Sequence, residues 1–249
     1  MGKNRKKTAR KSKRDLRSIL GIILFVSLVL SAIYTAVRLI FAPSASEAGE
    51  FDMQRSDYTL MLLQCILGIV VMLLPSLIER KWAVPIPGFI YILYYVFLYC
   101  AVFLGEVFNF YYRFAHWDTV LHAFSGAMLG ALGFILVSLL NDAEKIHVQL
   151  SPFFVALFAF CFALAMGAVW EIYEYICDTL MQLNMQKYMS EAGEVFVGQA
   201  ALQDTMADII CDALAALGVA VFGYLSLRRQ QNVRKQPEAP QDGEMPAQA

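Results

Sequence analysis

The chain has 249 residues, of which 59% are hydrophobic and 16% are charged, with a formal net charge of -1. Its mean hydropathy of +0.54 is higher than a water-soluble domain of this length needs to fill a core. The five cysteines are an odd number and three of them lie within apolar runs, which excludes a disulfide scaffold. We therefore expect an all-α membrane protein.

Six apolar runs carry little or no charge, and each is long enough to cross a hydrocarbon core of about 30 Å as a helix. A basic segment, residues 1–17, precedes them, and a tail rich in Gln, Pro and Ala, residues 230–249, is predicted to be disordered. The first run is longer than the apolar part of a signal peptide, so we expect it to remain as an anchor. The sequence predicts a six-span helix bundle over residues 18–229, with spans at 18–41, 58–78, 86–110, 118–140, 152–178 and 204–227.

The basic residues are distributed unevenly between the two sides of this bundle. Nine precede the first span, two lie between spans two and three, one lies between spans four and five, and four follow span six, so sixteen of the twenty share one side. Positively charged short loops stay cytoplasmic, which predicts that both termini are cytoplasmic and that residues 181–203 are external. We expect a multi-pass protein of a cell membrane whose partners are membrane lipids. Nucleic acid is not expected, because the basic segment lacks interleaved aromatics.

Ionisable residues occur in the last three spans at helical spacing, so each set lies along one helix face. Charges inside a membrane are costly and therefore mark candidate functional sites. With both termini inside, these three helix ends lie on the external side, where Glu106 at the end of span three joins them. The residues are Asp118 and His122 at the start of span four, Glu171, Glu174 and Asp178 at the end of span five, and Asp204, Asp208 and Asp212 at the start of span six.

These carboxylates outnumber the positive charges expected near them, which are His122 and Arg113. Shared protons, a wet pocket or a bound divalent cation would each lower the cost. An oxygen-rich set with one imidazole suits Mg, Mn or Zn, and the candidate ligands are His122, Asp208, Glu171 and Glu174. Small residues in the same helical rhythm, including Gly126 and Gly167, would let the helices approach closely there.

The order of these motifs resembles that of VanZ-like membrane proteins, and more closely that of the uncharacterised YjdF-type bacterial family. The resemblance covers roughly residues 117–217 and adds Thr205 and Gln186 to the candidate polar residues. It rests on Trp117-Asp118-Thr119-x-x-His122, Trp170-Glu171-x-x-Glu174-x-x-x-Asp178, Asn184-Met185-Gln186, Asp204-Thr205-Met206-x-Asp208 and Asp208-x-x-x-Asp212.

The resemblance implies an envelope protein, because VanZ-like proteins are associated with resistance to glycopeptide antibiotics such as teicoplanin. No reaction is established for them. This sequence departs from that pattern at three positions. It has Thr119 where VanZ-like proteins tend to have Lys, Glu174 where they have Gln, and Asp212 where they have Asn, so its polar set is more acidic.

Three functions remain open from the sequence. The first, which we favour, is a binding or structural membrane protein with an external polar pocket. The second is a metal-dependent envelope or lipid-modifying enzyme, although no Gly-x-Ser-x-Gly or His-Glu-x-x-His motif is present. The third is a small proton- or cation-coupled transporter. The cytoplasmic halves of spans four to six contain no charged residue, which disfavours a complete proton path.

Overall fold

A computed structural model describes residues 2–43, 53–82, 86–142, 150–190 and 193–234. Its elements are helical, and within these ranges the only β pairing is an isolated bridge between Met189 and Val195. The five cysteines all lie in these ranges and are unpaired. The helices are α1 (Gly2–Phe41), α2 (Arg55–Val71), α3 (Leu74–Trp82), α4 (Gly88–Leu98), a π-helix (Tyr99–Val107), α5 (Phe110–Arg113), α6 (Trp117–Asp142), α7 (Pro152–Met181) and α8 (Gln199–Arg234).

Six helical segments are long and apolar enough to cross a membrane, which confirms the predicted number of spans. Large apolar side chains such as Ile40 and Phe222 are more than 70% exposed, as lipid-facing residues would be. The last helix is longer than the predicted span and includes residues 230–234, which we had assigned to the disordered tail; residues 235–249 lie outside the described ranges. The spans are Leu16–Phe41, Arg55–Lys81, Gly88–Val107, Trp117–Ser138, Pro152–Met181 and Gln199–Val233.

The second span consists of two helices, because the chain breaks between α2 and α3. Pro75 is the second residue of α3 and has no N–H with which to bond the carbonyl of Val71. Just after α2 ends, Met72 N–H still bonds the carbonyl of Gly68 at 2.9 Å, and Leu73 N–H bonds that of Val70 at 3.2 Å. The second membrane span is therefore made of two consecutive helices and is not one regular helix.

The third span changes from α-helix to π-helix at Tyr99 and stays in that form for nine residues. A π-helix is usually a single turn and often lies at a functional site. Asn109, in the left-handed region at φ 58°, then turns the chain into α5. This turn brings the ring of Tyr111 directly onto Gly105, where any side chain would overlap it.

The spans form two groups of three. The first group, α1 to the π-helix, packs around an apolar cluster of Leu24, Leu28, Cys65, Met72, Tyr91, Tyr95, Leu98 and Val102. The second group is α6, α7 and α8, which contact one another extensively. Helix α6 also joins the two groups through two aromatic contacts. The rings of Phe124 and Phe97 of α4 are stacked with centroids 5.9 Å apart, and Trp117 packs edge-on against Phe110 of α5 with centroids 5.0 Å apart.

Small residues allow the second group to pack closely. Ala159, Ala163 and Ala216 are fully buried, and a Cβ at Gly133 of α6 would lie only 2.6 Å from the Cα of Ala159 in α7. The backbones of α6 and α7 are thus in direct contact. Gly126 and Gly167, whose spacing predicted a close approach, lie at a different contact, against Asp212 of α8.

Gly133→Ala should lower the melting temperature of the detergent-purified protein. The added methyl meets backbone rather than a flexible side chain, and overpacking of this kind costs about 1–3 kcal/mol. Gly218→Ala is the matched control, because a Cβ there meets nothing within 4 Å and alanine favours a helix interior by about 1 kcal/mol. Equal melting temperatures for the two variants would contradict the close contact of α6 and α7.

The predicted orientation can be tested on exposed positions at opposite ends of α8. Val197, 86% exposed, precedes α8, and Arg229 is exposed near its other end. In a variant without native cysteines, Val197→Cys should react with a membrane-impermeant thiol reagent in intact cells, and Arg229→Cys should react only after lysis. The reverse pattern would place the termini outside.

Candidate functional site

Six carboxylates gather where α6 begins, α7 ends and α8 begins. Four of them, Glu171, Glu174, Asp208 and Asp212, are no more than 8% exposed. Burial of charge is expensive unless it is paired, so their partners determine what the site can do. We call these residues the acidic cluster: Asp118, Glu171, Glu174, Asp204, Asp208 and Asp212.

Asp212, 2% exposed, lies at the point where the three helices meet. A Cβ on Gly126 of α6 would come within 2.8 Å of the Asp212 carbonyl oxygen, and one on Gly167 of α7 would overlap its carboxylate. Ser125 Oγ lies 3.4 Å from Asp212 Oδ1 and donates a hydrogen bond to it. The two glycines therefore provide the space for this carboxylate.

His122 is held among three carboxylates and is 7% exposed. Its Nδ1 lies 3.3 Å from Asp212 Oδ2, a contact in which the ring nitrogen is the donor when the carboxylate is ionised. Its Nε2 lies 3.7 Å from Asp118 Oδ1 and 3.9 Å from Asp208 Oδ2, both beyond hydrogen-bonding distance. Asp118, His122 and Asp208 each contribute one potential ligand atom within 4.8 Å of the others, a spacing that can hold a metal ion.

The carboxylates of the two glutamates of α7 differ in how fully they are hydrogen-bonded. Glu174 accepts a hydrogen bond from Trp170 Nε1 at 2.9 Å. Glu171 receives a long contact from Gln186 Nε2 to Oε2, 3.4 Å, and also interacts with Thr205, while its buried Oε1 has no hydrogen-bond partner within 3.5 Å among the described residues. Glu171 also interacts electrostatically with His122 and Asp204, which places its side chain near the acidic cluster.

The main positive partner of the cluster is Lys187, which we did not include among the candidate site residues. Its Nζ contacts Asp118 Oδ2 at 2.5 Å and Asp204 Oδ1 at 2.8 Å. Burial alone would lower the pKa of Lys187, but the two aspartates outweigh that effect and raise it, so the ammonium stays charged at physiological pH. Arg113, the cation expected from the sequence, lies exposed at the end of α5.

The loop after α7 positions Lys187. The carboxylate of Asp178 accepts hydrogen bonds from the backbone amides of Met185 at 2.8 Å and Gln186 at 3.0 Å. Lys187 itself has a left-handed backbone with φ 46°. Asp178 therefore anchors the loop instead of joining the contacts around His122, while Gln186 Nε2 donates to Thr205 Oγ1 of α8 at 2.9 Å.

The first group of spans reaches the edge of the site through the π-helix. Glu106 interacts electrostatically with Asp118 and Lys187. Burial raises the pKa of Tyr111 well above its ordinary value, and the charges of Glu106 and Asp118 add to the shift. Glu106 thus lies near the acidic cluster without a described contact to His122.

The structure brings most of the predicted polar residues together. Those that converge are Asp118, His122, Glu171, Glu174, Asp204, Asp208 and Asp212, together with Thr205 and Gln186. Glu106 lies beside them, Asp178 anchors the loop, and Arg113 is exposed at the end of α5. The signal for Lys187 was its place beside the Asn184-Met185-Gln186 motif, as the one positive charge between residues 181 and 203. Its loop geometry could not be predicted from helical spacing.

The fold and the cluster define a polytopic, all-helical membrane protein with buried carboxylates and one histidine at one end of its bundle. The chain belongs to a family described as predicted membrane proteins (DUF2238), which matches residues 16–229 and so includes all of the acidic cluster. Comparison with the curated proteins and with the solved structures gives no match.

Asp178→Ala should loosen the loop that holds Lys187. Two backbone amides lose a charged acceptor, and each such bond contributes about 1.5–3 kcal/mol. Hydrogen exchange at Met185 and Gln186 should become at least about tenfold faster, since about 1.4 kcal/mol corresponds to a factor of ten. Glu194→Gln, at an exposed position of the same loop, is the control and should exchange like the wild type. Unchanged exchange in Asp178→Ala would show that other contacts hold the loop.

Proposed function

We propose that this protein binds a divalent metal ion within the membrane, with Asp118, His122 and Asp208 as ligands and Glu171 as a further oxygen beside them. The observation that carries the proposal is the orientation of the His122 ring. Asp212 holds Nδ1, and Nε2 is directed between two carboxylate oxygens that it does not hydrogen-bond.

This arrangement corresponds to a common form of metal site. A metal-binding histidine usually donates its second N–H to a carboxylate, which fixes the tautomer and leaves the other nitrogen free to bind metal. Ligand atoms about 2.1 Å from one metal ion can be no more than about 4.2 Å apart. The distances of 3.7 and 3.9 Å from Nε2 to the two aspartates fall within that limit.

The charge of the site also favours a cation. Six carboxylates surround Lys187 and His122, and only Asp118 and Asp204 contact the lysine. Among the residues that the structure describes, one buried oxygen of Glu171 has no hydrogen-bond partner, although buried polar atoms nearly always have one. A divalent ion would supply both the missing charge and a partner for that oxygen.

The alternatives from the sequence gain less support. An enzyme that acts on phosphate groups would need a free cation to hold them. The residue considered for this from the sequence, Arg113, is exposed, and Lys187 is already in contact with Asp118 and Asp204. A transporter would need polar groups across the membrane. The segments 123–138, 153–170 and 213–227 contain no charged residue.

We assign the site to the external side of the membrane and to the bacterial envelope, on the basic-residue count and the resemblance to VanZ-like and YjdF-type proteins. Asp118, His122 and Asp208 belong to the motifs that carry that resemblance. Where VanZ-like proteins have Asn, its carbonyl could still accept the Nδ1 proton that Asp212 accepts here, but without the negative charge. A role of this protein in the response to envelope antibiotics would follow only if VanZ-like proteins have the same metal site.

The test is metal binding by the detergent-purified protein. At a metal concentration one hundred times the dissociation constant, binding adds about 2.7 kcal/mol of stability, which raises the melting temperature of a chain of this size by about 5–10 °C. Asp208→Asn should abolish most of this rise. Asp212→Asn should weaken binding about 10–100-fold, because it acts through the His122 ring.

Glu194→Gln, a carboxylate of the exposed loop, is the control and should keep the full rise. Metal content measured on the protein as purified gives an independent readout. No stabilisation of the wild type by Mg, Mn, Ca or Zn, or the same stabilisation in Asp208→Asn as in the wild type, would overturn the proposal. Shared protons would then be the remaining way to balance the cluster.

A further inference from the structure

The two carboxylate oxygens of Asp118 have different neighbours, because Lys187 contacts only one of them. The ammonium contacts Oδ2 at 2.5 Å, while Oδ1 faces His122 Nε2 at 3.7 Å. The same ammonium holds Asp204 Oδ1 at 2.8 Å. Asp118 can therefore give a metal ion beside His122 only one oxygen, and Asp204 is directed toward the lysine.

The position of this ammonium is built into the fold. The Lys187 amide bonds the carbonyl of Asn184 at 3.3 Å, and Asp178 fixes the two preceding amides. Its left-handed backbone, φ 46°, is uncommon for a residue with a side chain. The side chain is 38% exposed, but both of its carboxylate partners are less exposed, at 24% and 22%. The contact is thus more constrained than a surface ion pair.

The number of oxygens matters because divalent ions differ in what they need. Calcium takes six to eight oxygen ligands, often including a carboxylate that binds through both oxygens. Zinc needs three or four ligands and accepts an imidazole nitrogen with single carboxylate oxygens. One nitrogen, single oxygens from Asp118 and Asp208, and one oxygen of Glu171 make four ligands, which suits zinc and is fewer than calcium takes.

We propose that Lys187 is a specificity-determining residue that keeps Asp118 as a single-oxygen ligand and so makes the site selective for zinc-like transition metals over calcium. This inference rests on the proposed metal site. Lys187 touches the ligand and not the metal, so it is a positioning residue. Without it, the second oxygen of Asp118 and the carboxylate of Asp204 become available to a larger, oxygen-seeking ion.

The experiment is titration of the detergent-purified full chain with zinc and with calcium, each alone, to obtain both dissociation constants. Lys187→Met removes the ammonium and keeps the length of the side chain. Loss of a positive charge strengthens binding of any divalent ion, so the readout is the ratio of the calcium to the zinc dissociation constant. That ratio should fall about tenfold or more, within the range found for residues that orient metal ligands.

Two variants control for charge alone. Arg113→Met removes an exposed positive charge at the same end of the bundle and should leave the ratio within about threefold of the wild type, or roughly 0.7 kcal/mol. Lys187→Arg keeps the charge and should also retain the preference for zinc. If Lys187→Met does not fold, Lys187→Gln removes the same charge and carries the same expectation.

The outcomes separate the two proposals. A wild type that binds neither ion overturns the metal site and this inference together. A wild type that prefers zinc, with an unchanged ratio in Lys187→Met, overturns the role of Lys187 and leaves the metal site standing. A wild type that binds calcium as tightly as zinc also overturns the selectivity. If the ratio falls equally in Arg113→Met, net charge explains the change and the specific role of Lys187 is overturned.

Discussion

A buried carboxylate at a three-helix junction constrains much of the second group of spans. Asp212 is 2% exposed, and the surrounding bilayer would make an unpartnered charge there very costly. Its oxygens are satisfied by His122 and Ser125 of α6, and the space for it exists because α6 and α7 present glycine at the contact. The close packing of the three helices, the orientation of the imidazole and the direction of its free nitrogen all depend on this one arrangement.

The two groups of spans are held together by different interactions. The first packs around large apolar and aromatic side chains and also has polar contacts between its helices. Glu79 accepts hydrogen bonds from Tyr91 at 2.7 Å and from Arg17 at 3.3 Å, and Arg38 of α1 donates to Tyr58 Oη of α2 at 2.8 Å. The second has alanine and glycine in its middle and carboxylates at one end. In a bilayer, where apolar burial gives little drive for helix association, close packing and interhelical polar contacts must hold such a group.

Much of this organisation was predictable from the sequence, because it follows from length and periodicity. A run of about twenty apolar residues predicts a span, and repeats of three and four residues place Asp204, Asp208 and Asp212 on one face. The position of Lys187 was not predictable, because it depends on a left-handed residue and on hydrogen bonds from Asp178 across a loop. The π-helix likewise had no signal in the pattern. The break before Pro75 did have one, since proline removes a backbone donor.

The order of the helices along the chain also constrains how the protein is made. His122 and Ser125 lie in α6, but their partner Asp212 lies in α8, which is synthesised after α6 and α7. Until α8 has been synthesised and inserted, His122 and Ser125 of α6 therefore lack the contacts with Asp212. Insertion of α8 then brings aspartates whose own burial depends on the same partners. Assembly of this half is accordingly a concerted step, and a cell that slows translation before residue 199 would prolong the interval in which those groups are exposed to lipid or to quality-control proteases.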